Sequence, residues 1–259
     1  MNEQQGNETS PNQEIPGIHE GAQQISIPVP NASNAQSAAV ANEYVNDVKK
    51  FFSKNLLQIV KDIFAQPIKG TRDIFTNAGS EAYQHGFILI ATTILVYILV
   101  PYLMVGSEMR SAIGFGAFFK FGLSAGVVLV IISALTFGIK AISGKPDFKK
   151  ELLTGGICGI PLMILILFMA VMVLFNKDSI DLLNPQGMIN QGIFSGIIFL
   201  YLVLMLFNIV QQSFKASATN DTLSWYLSPL VICAGFYIGM KIAVSIFGPS
   251  GGGLSPYGY

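Results

Sequence analysis

Charge is scarce in this sequence. Only 12% of its 259 residues are Asp, Glu, Lys or Arg, about half the share carried by a soluble globular chain. The 15 Lys and Arg are balanced by 15 Asp and Glu, so there is no basic excess to neutralise phosphates, which argues against a nucleic-acid partner. Cysteine is nearly lacking as well. Cys158 and Cys233 are too few for a disulfide framework or a thiolate metal site, and both sit in apolar runs, where a thiol is usually a small buried hydrophobe. There is no H-E-x-x-H, no pair of intramembrane aspartates, no P-loop and no Cys/His cluster. The sequence therefore reads as a protein without catalytic residues, metal or cofactor.

What is present is hydrophobic: 51% of the chain, gathered into five runs. About 20 apolar residues are needed to cross the hydrocarbon core as a helix. Gly86–Val105, Phe121–Ile139 (or from Ala112), Leu152–Phe175, Ile189–Phe207 and Leu227–Phe247 each meet that length. The connections are short and carry turn residues, such as Gly144-Lys-Pro146 and Asn184-Pro185. The chain shows neither a long-period repeat nor a duplicated half. The expected fold is an all-α integral membrane protein, a bundle of five transmembrane helices over residues 86–247.

Two segments precede the bundle. Residues 1–42 are rich in Asn, Gln, Ser, Pro and Gly, hold four acids and no Lys or Arg, and read as a disordered tail. They lack the basic and apolar regions of a signal peptide, and the sequons at Asn7 and Asn31 fall here. Residues 43–85 change character. Val45, Val48, Phe52, Leu56, Ile59 and Ile63 recur every three or four positions, with Lys49, Lys50, Lys54 and Lys61 on the other face and Pro67 at the end. That is an amphipathic helix suited to the membrane interface; the competing reading packs its apolar face on the bundle or on a partner. A Gly-rich tail, 248–259, ends the chain.

Orientation follows from the bases. Eleven Lys and Arg lie before span one or in the loops after spans two and four, against Arg110 and Lys177 in the opposite loops. The positive-inside rule puts the N-terminus in the cytoplasm and the C-terminal tail outside. The remaining two, Lys120 and Lys241, lie toward the outer ends of spans two and five. An intramembrane charge is a functional candidate by default, yet snorkelling to the headgroups is the expected behaviour of these long side chains. No Asp or Glu falls within the expected spans as a partner, which counts against proton-coupled transport.

Gly122-Leu-Ser-Ala-Gly126 matches the G-x-S-x-G of serine hydrolases. Ser124, however, needs a base within reach, and the two histidines are His19 in the tail and His85 at the opposite end of the membrane. The glycines have a simpler meaning. Gly122/Gly126, Gly155/Gly159, Gly192/Gly196 and Gly235/Gly239 place one G-x-x-x-G in each of spans two to five, flat strips that let helices approach closely. They serve contacts within the bundle or a homo-oligomer interface, the former being expected. Pro101 and Pro161 are expected to kink spans one and three.

Two stretches carry a family likeness: Asp62-Ile-Phe-Ala-Gln-Pro67-Ile-Lys-Gly-Thr-Arg-Asp-Ile-Phe75, and Gly144-Lys-Pro-Asp-Phe-Lys-Lys-Glu-Leu-Leu-Thr-Gly-Gly-Ile-Cys-Gly-Ile-Pro161. With the polar N-terminus and five spans, the chain resembles the Yip-domain (Ypt/Rab-interacting) membrane proteins. Pro67 matches the Phe-x-x-Pro entry of bacterial members, and Pro161 the Ile-Pro that follows the Gly-containing loop into span three. The Asp-Leu-Trp/Tyr-Gly-Pro segment of eukaryotic members is missing, so the likeness is to a prokaryotic-type member. It implies a multi-pass protein of the cell membrane, or of ER/Golgi in a eukaryotic host. The five spans and the missing catalytic groups lead to the expectation of a non-enzymatic protein that organises the lipid bilayer or membrane and cytoplasmic protein partners. The alternative is a small transporter or channel component, suggested by the prolines, Asn190, Gln191, Asn208, Lys120 and Lys241. The orientation is directly testable: a cysteine introduced at Ser255 should react with a membrane-impermeant thiol reagent added outside. Reaction only from the cytoplasm would overturn both the orientation and the odd span count.

Overall fold

The computed structural model describes residues 45–79, 81–143, 147–175, 185–217 and 219–247. Residues 1–44, 80, 144–146, 176–184, 218 and 248–259 lie outside them, as do the side chains of Asn190 and Gln191. The chain divides into Met1–Tyr44 and Val45–Tyr259, and the described residues all belong to the second unit. Its assigned elements are all helical: α1 (residues 45–50), a π-helical turn Phe51–Asn55, α2 (Leu56–Ala65), α3 (Lys69–Thr76), α4 (Ala82–Met104), α5 (Ser107–Ile113), α6 (Phe115–Ser143), α7 (Phe148–Phe175), α8 (Pro185–Ala216) and α9 (Asp221–Phe247). Five of them, α4 and α6 to α9, are long and apolar enough to cross a membrane. The protein is thus an all-α, multi-pass membrane protein, a five-helix bundle preceded by an amphipathic helical arm.

The helices outrun the hydrophobic segments for local reasons. Asp147 accepts the backbone N–H of Lys149 through its carboxylate, capping α7 four residues ahead of Leu152. Asn220 does the same for Thr222 at the start of α9. At the other end of α8, the polar run that closed the hydropathic segment after Phe207 remains helical to Ala216, because Gln212 and Ser213 are buried against polar partners inside the bundle. The short α5 was not anticipated from the sequence. It is joined to α6 through Gly114 at φ +73°, a left-handed position that other residues adopt only with strain. Pro101, Pro161 and also Pro229 sit inside helices that continue past them.

Helix α7 is the axis of the bundle. Every residue from Glu151 to Leu162 is buried, enclosed by α4, α6 and α8, while α9 lies on α6 and α8. Bilayer hydrocarbon gives little hydrophobic drive for helices to associate, so close packing must supply it. The glycine strips do so unequally. A Cβ on Gly126 would strike the Ile94 side chain of α4; one on Gly159, Thr93 of α4; those on Gly235 and Gly239, Ile132 and Val128 of α6. Gly122 and Gly155 face α4 and α6 just as tightly. Gly192 and Gly196 meet nothing within 4 Å, so the strip on α8 is open in the monomer.

One further close approach, between α4 and α7, is not revealed by the G-x-x-x-G pattern. A Cβ on Gly86 would lie 2.7 Å from the Leu152 carbonyl oxygen, and one on Gly156 2.7 Å from that of Gly86. Here α4 and α7 run parallel, backbone on backbone, with no flexible side chain to yield. Gly156→Ala should therefore destabilise the fold by about 1–3 kcal/mol, as overpacking does. Gly196→Ala should be neutral or stabilising, since Ala favours the helix by about 1 kcal/mol. Unfolding in mixed micelles checks the opposite signs.

Candidate functional site

The hydroxyls in the middle of the bundle turn inward on their own helices. Thr93, Ser133, Thr136 and Ser228 each donate to the carbonyl four residues earlier, at 2.6–3.0 Å, which satisfies them where no water is present. Ser124 behaves in the same way, donating to the Lys120 carbonyl at 2.8 Å. It borders an apolar cavity of about 160 Å³ whose lining includes Tyr97, Val128 and Phe236. His85 is held at the other end of α4, where its Nε2 lies 3.1 Å from the Asn55 amide and its ring 4.9 Å from that of Phe51. Lys120 and Lys241 are both exposed on the outer surface of their helices, with the Lys241 ammonium 5.9 Å from the centre of the Tyr237 ring. Cys158 is buried and Cys233 exposed.

The charged chemistry gathers elsewhere, at the end of the bundle where α6 finishes and α7 begins. The Lys140 ammonium donates to both oxygens of Glu151, each at 2.8 Å, and to the Ser213 hydroxyl at 2.8 Å. The Thr154 and Ser213 hydroxyls are 2.7 Å apart, and the Phe214 ring lies 5.9 Å from the ammonium. Lys140 is 5% exposed and Glu151 3%, so neither charge is hydrated. This corrects the expectation that no acid lies within a span. Helix α7 begins at Phe148, so Glu151 belongs to its first turn and is a buried partner, not a loop charge. Three helices converge on the pair, with Lys140 from α6, Glu151 and Thr154 from α7 and Ser213 from α8.

Beside it, the arm docks onto α8. Arg72 of α3 donates its Nε–H to the Gln212 side chain at 3.1 Å. Gln212 in turn donates to Asn208 at 3.1 Å, and Asn208 donates to the Pro67 carbonyl at 2.6 Å. Pro67 thus does more than stop a helix: its carbonyl takes the hydrogen bond that fixes the arm. The α2–α3 bend needs Gly70, where a Cβ would come within 2.6 Å of the Asp62 carbonyl. Phe51, Ile59, Ile63 and Phe75 bury the inner face of the arm in the bundle core. Val45, Phe52, Leu57, Phe64 and Ile68 remain exposed on the other side, together with Lys49, Lys50, Lys54, Lys61 and Lys69. The apolar face is therefore divided: part packs on the bundle, and part stays available outside it.

Sequence reasoning missed Lys140, Glu151, Thr154, Ser213 and Gln212 as a group. The one usable signal was a base ending one apolar run and an acid opening the next, joined by a short loop. Among the described residues no group of His, Cys, Asp or Glu is placed to hold a metal ion. Comparison with protein families, with curated proteins and with solved structures finds no match for this chain.

Removing one member of the ion pair takes away the charge that faces the other in a buried site. Lys140→Met or Glu151→Gln should each destabilise the protein by about 3–5 kcal/mol, while the paired change Lys140→Met/Glu151→Leu recovers most of the loss. Equilibrium unfolding of the three variants in mixed micelles checks the reversal.

Proposed function

We propose that this is a non-enzymatic membrane protein of the prokaryotic Yip-domain type, in which the bundle anchors a cytoplasmic arm that organises lipid or protein partners. One observation carries the reading. The arm is locked to α8 by the Arg72–Gln212 and Asn208–Pro67 hydrogen bonds, yet it keeps an exposed apolar strip beside exposed lysines. A surface that needed only to cover the bundle would spend its apolar residues inward. This one has a second face, and bases beside bulky apolar side chains suit the anionic membrane–water interface or a partner held there.

The distribution of bases supports an arm on the cytoplasmic side, in the cell membrane of a bacterial host or the ER/Golgi membrane of a eukaryotic one. The Ser124 hydroxyl, engaged with its own helix, fits a role without acyl chemistry. The rival reading, a small transporter, requires a polar path between the spans. The amide of Asn208, one of the groups that suggested it, is instead occupied in holding the arm, and the described cavities between the spans are walled by apolar side chains.

Lysine-directed crosslinking in native membranes, followed by mass spectrometry, tests the proposal. Crosslinks to other proteins should concentrate on Lys49, Lys50, Lys54, Lys61 and Lys69, and should be lost when the exposed Leu57, Phe64 and Ile68 are all changed to Ser. An intact protein that captures no partner above background, and in which a fluorophore attached to a cysteine introduced at Leu57 shows no quenching by brominated lipid, would overturn it.

A further inference from the structure

Helix α8 is packed over only part of its length. Leu202, Met205, Leu206, Ile209 and Val210 are buried, whereas Ile193, Phe194, Ile197, Phe199 and Leu200 in its outer half are exposed. Where the packed and open halves meet, near the middle of the helices, there is a cavity of about 400 Å³. Its walls include Tyr97 of α4, Leu162 of α7, Leu206 of α8, and Cys233 and Phe236 of α9, with Phe199 of α8 at the rim. Phe199 and Cys233 are exposed while Leu162 and Leu206 are buried. The cavity therefore opens sideways onto the outer surface of the bundle and reaches inward to the core.

Three physical arguments identify its occupant. No charged side chain lines the cavity. The Tyr97 hydroxyl, the strongest polar group there, is already donated to the Leu162 carbonyl at 3.0 Å. An ordered water needs two to four polar partners, so this space does not suit water. The second argument is size. A helix is about 10–12 Å across with its side chains, so this volume takes roughly one turn of it and cannot admit a helix of a second copy. An extended hydrocarbon chain is far thinner and fits. The third is continuity: the mouth lies at mid-span on the surface that faces lipid in a five-span bundle, so acyl chains are the molecules already against it. Their gain on entry is not hydrophobic transfer, since they leave hydrocarbon for hydrocarbon. It is recovery of the dispersion contacts that an empty cavity forfeits.

We propose that this cavity is a lateral binding site for one acyl chain of a membrane lipid, held between α7, α8 and α9 against Tyr97. The site lies within the bundle and does not rest on the role given to the arm.

The test uses the full-length protein in phosphatidylcholine vesicles doped with a phosphatidylcholine carrying a diazirine in the distal half of one acyl chain. After photolysis, adducts should appear on the buried Leu206, which among the described cavities lines this one alone, on the buried Leu162, and at Cys233, above the level at the exposed Leu95 and Tyr237. Cys233→Trp fills the mouth and removes on the order of ten heavy-atom contacts, so adducts at Leu162 and Leu206 should fall about tenfold. Adducts spread evenly over lipid-facing positions and missing from Leu162 and Leu206 would overturn the proposal. So would an unchanged yield in a folded Cys233→Trp protein. If the variant does not fold, the adduct map of the unaltered protein decides alone.

Discussion

The parallel contact between α4 and α7 is the constraint on which the rest of the bundle depends. Gly86 and Gly156 bring two backbones together where a single added carbon would meet a carbonyl oxygen. In hydrocarbon, helices associate through packing and not through expulsion of water, so this closeness provides the attraction itself. It also seats α7 deep enough that its residues from Glu151 to Leu162 are buried on every side. The remaining helices then have a rod to pack against: α6 through Leu129 and Ser133 beside Gly155, and α9 through Gly235 and Gly239 over α6. The pattern is one of small residues set beside branched ones, repeated around the axis.

That deep seat has an electrostatic consequence. The first turn of α7 carries Glu151 into the bundle with it, and the carboxylate must be met there. Lys140 at the end of α6 and Ser213 near the end of α8 meet it. A buried pair of this kind is seldom a net source of stability. Its effect is to penalise any register in which the three helix ends are not together. On α8, Gln212 is the immediate neighbour of Ser213, so the same stretch of helix faces the ion pair and receives the arm through Arg72. A polar seam at one end of the bundle thus joins the apolar core to the arm.

The opposite half of α8 shows what happens without such constraints. Gly192 and Gly196 have no neighbour within 4 Å, and the apolar side chains around them are exposed. The sideways cavity at Tyr97 and Phe236 lies where this open half joins the packed one. In a membrane such a surface is not a defect, because the surrounding lipid is as apolar as the side chains it touches.

Much of this was legible from the sequence. Five apolar runs of spanning length determine five spans, because a buried peptide group in hydrocarbon must be satisfied within its own helix. The three- and four-residue spacing from Val45 to Ile63 determines the amphipathic arm. The glycine strips of α6, α7 and α9 indicate contact surfaces, though the same spacing in α8 is open, since spacing does not name a partner. Tertiary structure alone decided that Gly86 and Gly156 bring α4 and α7 together backbone on backbone, that Lys140 and Glu151 are a buried couple and not loop charges, and that Arg72 and Pro67 reach Gln212 and Asn208 respectively. The reason is physical: hydropathy and periodicity are sums along one chain segment. The meeting of residues far apart in sequence depends instead on which helices lie side by side and at what depth, and only the folded bundle sets that.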